Sequence, residues 1–136
     1  MIPPRIDVSR RDIAVVVSRF YQRVRTDATL GPIFAAHVDD WPAHEEKINR
    51  FWANAILFDR KYDGNPMQAH INAGNVQPEH FVRWLSLFDE TLAKEISGPQ
   101  RDQWSALAHR IGRGLSLGVS DAQCPLDAAP NIRNLA

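Results

Sequence analysis

An all-α domain is what this sequence predicts, and three observations carry it. Apolar residues recur at spacings of three and four along four long segments, and no segment shows the alternation of a strand. Ser, Asp and Pro stand where helices would start, and Gly and Pro where they would stop. A length of 136 residues, 44% hydrophobic and 24% charged, suits one domain around one core.

Residues 9–25, SRRDIAVVVSRFYQRVR, are the first expected helix. Ser9 followed by Asp12 has the form of a capping box. Ile13, Val16, Val17, Phe20, Tyr21 and Val24 make its inward stripe. Three successive valines lower its intrinsic propensity, so packing has to hold it. Residues 28–38 read as turn and short helix, punctuated by Gly31-Pro32. Asp39-Asp40 before Trp41-Pro42 starts a helix running to about Phe58, because proline is tolerated in a first turn. Its inner face is His44, Ile48, Phe51, Trp52 and Ala55. Residues 61–66 read as loop, 67–71 as one or two helical turns, and 72–77 as loop again. Pro78-Glu79 opens a helix to Ile96, with Phe81, Trp84, Leu85, Phe88 and Leu92 inward. Ser97-Gly98-Pro99 ends it. The last long helix is expected over roughly 100–117, with Trp104, Leu107, Ala108, Ile111 and Leu115 inward and Gly112, Gly114 and Gly118 weakening its end. The domain is thus expected over 1–119, with a short N-terminal extension. Residues 120–136 carry two prolines and little periodicity and are expected to be a flexible tail.

Bulk properties exclude several function classes. Lys plus Arg and Asp plus Glu both number 16, which gives no reason to expect nucleic acid or an anionic membrane as partner. The single cysteine, Cys124, cannot form an internal disulfide. The N-terminus MIPPRIDVSRRD lacks the apolar run of a secretory signal, and no stretch approaches a membrane-spanning length. A cytoplasmic location without membrane insertion is the expectation. His44-Glu45-Glu46 has the wrong spacing for a zinc helix, and the glycines of IGRGLSLG (112–118) follow no strand, so they form no dinucleotide fingerprint. No Ser-His-Asp signature is present.

Four Trp, six Phe and two Tyr are many for a small chain. Such rings either fill a core or line a flat apolar partner. His44 lies one turn before Ile48 and two before Phe51-Trp52, on the face of an aromatic stripe. It is either a partly buried histidine bonded to a carbonyl or part of a site. Tyr21 and Trp84 also lie on inward faces, where each hydroxyl or indole N–H needs a partner or does core packing only. His70 sits in a short segment fenced by Pro66 and Gly74, as a surface histidine or as a ligand. Periodicity does not choose.

Four segments stand in order with no large gap: FYQRVRTDATLGPIF (20–34), WPAHEEKINRFW (41–52), YDGNPMQAH (62–70) and HFVRWLSLFDETL (80–92). Together they resemble the truncated haemoglobins, specifically their third group, over roughly residues 9–118. The resemblance implies a truncated globin fold, a two-over-two helical sandwich around haem b (iron protoporphyrin IX). It implies His70 as the proximal ligand through Nε2, and Tyr21, His44 and Trp84 as the distal, ligand-stabilising positions. Ile48 and Phe51 match apolar positions against the porphyrin. Phe34, Trp52, Tyr62, Met67, Phe81 and Phe88 are further candidates for the lining. One protein ligand leaves a coordination position for a diatomic gas such as O2, NO or CO. Tyrosine and tryptophan donors would favour O2 over CO, and the position of His44 can swing outward to gate access or exchange a proton with peroxide. Two stretches depart from the family's habit: HRIGRGLSLG (109–118) is richer in glycine, and INAGNV (71–76) is more polar.

Reversible dioxygen binding, with redox detoxification of nitric oxide as its extension, heads the functional expectations. The chain has no flavin or nicotinamide domain, so a separate reductase would donate the electrons. Peroxidase-like reduction of peroxide, oxygen storage or delivery, and a haem-free helical interaction module are the alternatives. A monomer is expected.

Overall fold

The computed structural model describes residues 3–123 except 61, 63 and 75, and omits the side chains of residues 67, 68, 71, 72 and 121–123. Six helices and no strand occur among them: α1 (Arg10–Thr26), α2 (Leu30–Ala35), α3 (Trp41–Leu57), α4 (Pro66–Ala73), α5 (Pro78–Glu95) and α6 (Pro99–Gln123). Two pairs, α1 with α3 and α5 with α6, lie across each other, and the contact of α1 with α5 joins the layers. The short α2 packs on α1 and α5, and α4 packs on α6. None of the described helices is long and apolar enough to cross a membrane.

The helix starts follow their local chemistry. Ser9 Oγ accepts the Asp12 N–H at 3.0 Å and Asp12 Oδ2 accepts the Ser9 N–H at 2.9 Å, a complete capping box. Of the three valines, Val16 and Val17 are buried and Val15 is exposed, so tertiary burial offsets their poor helix propensity. Asp27 follows α1, and its carboxylate accepts the N–H groups of Thr29 and Leu30 to lead the chain into α2. Asp40 Oδ1 accepts the Ala43 N–H at 3.1 Å and starts α3.

The end of α3 is less ordinary. Phe58 caps it in the left-handed region at φ 60°, the single non-glycine residue with positive φ among the described residues. The N-terminal strap holds that end. Arg5 donates from its backbone N–H to the Ile56 carbonyl at 2.7 Å and from Nε to the Ala55 carbonyl at 3.0 Å, and its guanidinium lies over the Phe58 ring. Two orphan carbonyls are thereby satisfied, that of Ile56 by a backbone amide and that of Ala55 by a cation where the helix dipole is negative.

Two expectations shift. The segment around His70 is a full eight-residue helix, because Pro66 is suited to its first turn and Gly74, at φ 80°, turns the chain out of it. The glycines of the last helix do not end it. Helix α6 continues through residues 120–123, so the start of the expected tail is helical, and the rest of that tail, Cys124 included, lies outside the described residues. Gly112 is a packing point: a Cβ there would stand 3.1 Å from Leu85 Cδ1, so its missing side chain lets α6 approach α5.

The core centres on rings. Phe88 lies between Trp84 and Trp52, stacked on both at centroid distances of 5.4 and 5.3 Å. Trp104 meets Trp52 and Phe88 edge-on, and Phe20 closes the cluster against Phe88. Each such pair adds about 0.5–1.5 kcal/mol beyond area burial. This cluster fixes the register of α1, α3, α5 and α6, and with it the walls of the cavity beside it.

Candidate functional site

A cavity of about 310 Å3 lies beside the aromatic core, and all six helices contribute to its lining. Its size falls within the range of small-molecule sites, and most of its wall is apolar.

One wall comes from α1, α2 and α3. Tyr21 is 3% exposed and packs edge to face against Phe20 and His44, each at 5.0 Å. Burial, and then the charge of Glu45, push its phenol up from its ordinary value, so the O–H stays a donor throughout the physiological range. His44 is boxed by Tyr21, Trp41 and Phe34. Its Nε2 is buried without a hydrogen-bond partner. Burial, with Lys47 nearby, holds its pKa below the usual imidazole value, which favours the neutral ring. Behind this wall Arg25 lies over the Trp41 ring at 4.9 Å. Ile48 and Phe51 continue the lining along α3, and Phe51 meets Trp52 and Tyr62 edge-on at 5.1 and 5.4 Å.

The facing wall comes from α4, α5 and α6. Helix α4 presents His70, whose Nδ1–H donates to the Pro66 carbonyl one turn back at 2.5 Å. A carbonyl can only accept, so in the neutral ring the proton is on Nδ1 and the lone pair is on Nε2. That is the tautomer and the outer hydrogen bond of a metal-ligating imidazole. Phe81 packs against the His70 ring at 5.4 Å. Trp84 lines the cavity with one side of its indole against Phe88.

A single imidazole does not make a protein metal site. Among the described residues no group of three or more His, Cys, Asp or Glu side chains could hold a metal ion. A metal at His70 would need its other ligands from a bound group.

Tyr21, Phe34, His44, Ile48, Phe51, Trp52, Tyr62, His70, Phe81 and Trp84, all singled out from the sequence, meet on this lining. Phe88 does not. It is fully buried one ring deeper, between Trp84 and Trp52. The side chain of Met67 lies outside the described residues. The sequence reading missed Leu30, Ile33 and Val38 near α2, Ile111 and Leu115 on α6, and the polar residues His37, Lys47 and His80. Ile111 and Leu115 were legible as inward but not as cavity wall. His80 had a usable signal, since it stands four residues before Trp84 on the same helical face.

The family model for bacterial-like globins matches residues 8–112. The group 3 truncated hemoglobin ctb of Campylobacter jejuni subsp. jejuni serotype O:2 (strain ATCC 700819 / NCTC 11168) is 36% identical over 89 residues, spanning 62% of this chain and 70% of that protein. The crystal structure of a group III truncated hemoglobin from Campylobacter jejuni superposes with a TM-score of 0.77 at 30% identity, covering 82% of this chain and 91% of the other.

Proposed function

From the premise that the chain belongs to the bacterial-like globin family, in the third group of truncated haemoglobins, we propose that it holds haem b through His70 and binds a diatomic gas reversibly. The observation that carries this reading is the tautomer of His70. Its Nδ1–H is committed to the Pro66 carbonyl, and its Nε2 lone pair remains on a side chain that lines the cavity.

The other residues fit the group. Ring faces and aliphatic chains from α3 and α5 suit a flat apolar macrocycle, and burial of that surface would add to the stability of a small core. The orphaned Nε2 of His44 is a buried polar atom waiting for a partner. Bound haem iron supplies an open coordination position for a gas. Around that position the chain supplies donors. The Tyr21 O–H and the Trp84 N–H can hydrogen-bond a gas that carries partial negative charge, and the apolar surround strengthens both bonds. Carbon monoxide develops less charge and gains less from them.

The reading extends to redox turnover. Conversion of nitric oxide and dioxygen to nitrate takes up one electron per cycle, which a separate reductase would supply. A neutral, buried His44 with a free Nε2 supports a second reading, in which it accepts a proton from peroxide.

The test is optical. The purified protein, reconstituted with haem, is expected to show a Soret band that His70→Gly loses and that added imidazole restores. No band in the wild type would sink the proposal. For turnover, the oxy form mixed with nitric oxide should give nitrate in equal amount, and a protein that cannot then be re-reduced by a physiological donor is a gas binder only.

A further inference from the structure

We infer that His80 is a positioning residue of this same site, whose Nε2–H donates to a propionate carboxylate at the edge of the bound macrocycle; the inference rests on the haem reading above. His80 occupies the third position of α5 and lines the cavity. Its Nδ1 accepts the backbone N–H of Gln77 at 2.9 Å. A ring nitrogen that accepts carries no proton, so the neutral ring keeps its proton on Nε2. His70 is the reverse case, with Nδ1 donating to Pro66. One cavity therefore holds two imidazoles that the backbone fixes in opposite tautomers. One offers a lone pair at Nε2, the other a donor.

The place of that donor narrows its acceptor. His80 stands in the first turn of α5, where that helix reaches the cavity. Apart from what its metal binds, the acceptors that a haem macrocycle offers are its two propionate carboxylates, which stand on its edge. His80 is half-buried, as suits an edge rather than a centre. A neutral donor on an apolar wall is favourable when it meets such an acceptor, and a charged acceptor makes the bond stronger. The same geometry excludes His80 as the iron ligand. Ligation through Nε2 would need that nitrogen to lose its proton or Nδ1 to release the Gln77 amide that heads α5.

Two substitutions separate positioning from capping. Glutamate and glutamine at this helix position can both accept the Gln77 N–H through a side-chain oxygen. Glutamine keeps a donor, whereas ionised glutamate has none and repels a carboxylate. In the haem-loaded protein, His80→Glu is expected to lose haem to an excess of an apoglobin scavenger about tenfold faster. Its propionate bending band in the resonance Raman spectrum should shift. His80→Gln should stay within about threefold of wild type. Both should keep the wild-type Soret band and iron–histidine stretch, because His70 is untouched. An unchanged rate and propionate band in His80→Glu overturn the inference and leave the haem reading standing. Equal acceleration in both variants also overturns it, since ring packing would then be the cause. Absence of a Soret band in the wild type overturns both readings together.

Discussion

Tyr21 and His44 meet edge to face, with ring centroids 5.0 Å apart at an interplanar angle of 82°, and the buried Nε2 of His44 has no hydrogen-bond partner. Aromatic packing thus sets the position of two polar rings on one cavity wall and leaves His44 Nε2 without a partner. Buried polar atoms are ordinarily paired.

Tyr21→Phe tests the phenol. It removes one oxygen and keeps the ring that contacts Phe20, Phe34 and His44. Fold stability should change little. Oxygen dissociation from the haem-loaded protein should speed up by roughly tenfold or more, the worth of one buried hydrogen bond to a charged acceptor. Stopped-flow displacement of oxygen measures it, and a rate equal to wild type would rule out a direct bond from Tyr21.

His44 carries a pH dependence whose sign is fixed. Burial and Lys47 depress its pKa from 6.5. In acid the unfolded chain therefore takes up this proton before the folded protein does. The contribution of neutral His44 is complete above about pH 6.5 and is lost as pH falls through the folded value. His44→Gln cannot titrate. Urea midpoints measured between about pH 8 and about pH 5 should fall more steeply in wild type than in this variant. Parallel slopes would mean that His44 titrates alike in both states.

Helix periodicity made most of the fold legible, because the inward stripes of α1, α3, α5 and α6 are each written in one stretch of sequence. It reads a face and not a depth. Trp84 and Phe88 are four residues apart on one face of α5, yet Trp84 lines the cavity while Phe88 is sealed behind it between two tryptophans. The difference comes from where α3 and α6 press on α5, which no local pattern encodes. His70 was illegible from spacing for another reason. A short helix has too few turns to show a stripe, so the resemblance singled His70 out, and the tautomer set by Pro66 became visible only in three dimensions. The polar wall residues Lys47 and His80 escaped a reading that looked for apolar faces.

Asp27 ties the α1–α2 corner to α5. Arg83 donates to its Oδ1 from Nε at 2.9 Å and from Nη2 at 2.6 Å, beside the amides of Thr29 and Leu30. The Arg83 hydrogen bonds, then the two backbone amides, outweigh burial and hold the Asp27 carboxyl below its ordinary 3.8. The unfolded chain again takes up the proton first, so this contribution is present above about pH 4 and is lost as pH falls through the folded value. Asp27→Asn should lower the urea midpoint at neutral pH, and the gap to wild type should narrow in acid. High salt should narrow it as well, since Arg83 is partly solvated. A gap that is constant from neutral pH down to about pH 3 would assign the effect to the corner's backbone geometry instead.

Gly112 and Leu85 should be energetically coupled. Alanine in place of glycine inside a helix is worth about 1 kcal/mol from backbone entropy alone. At this position the new methyl would stand 3.1 to 3.3 Å from three atoms of the Leu85 side chain. Leu85 is half-buried and has room to give, so the two effects should nearly cancel in Gly112→Ala. Leu85→Ala removes the obstacle. On that background Gly112→Ala should gain close to the full propensity of about 1 kcal/mol and refill part of the space that Leu85 vacates. Urea unfolding of the four proteins of this double-mutant cycle measures the coupling, expected at about 0.5–1 kcal/mol. Gly114, whose added Cβ would meet nothing within 4 Å, is the control: Gly114→Ala should stabilise equally with either residue at position 85. Additive behaviour at Gly112 would show that α5 and α6 can separate there without cost, and would remove the reason offered for glycine at that crossing.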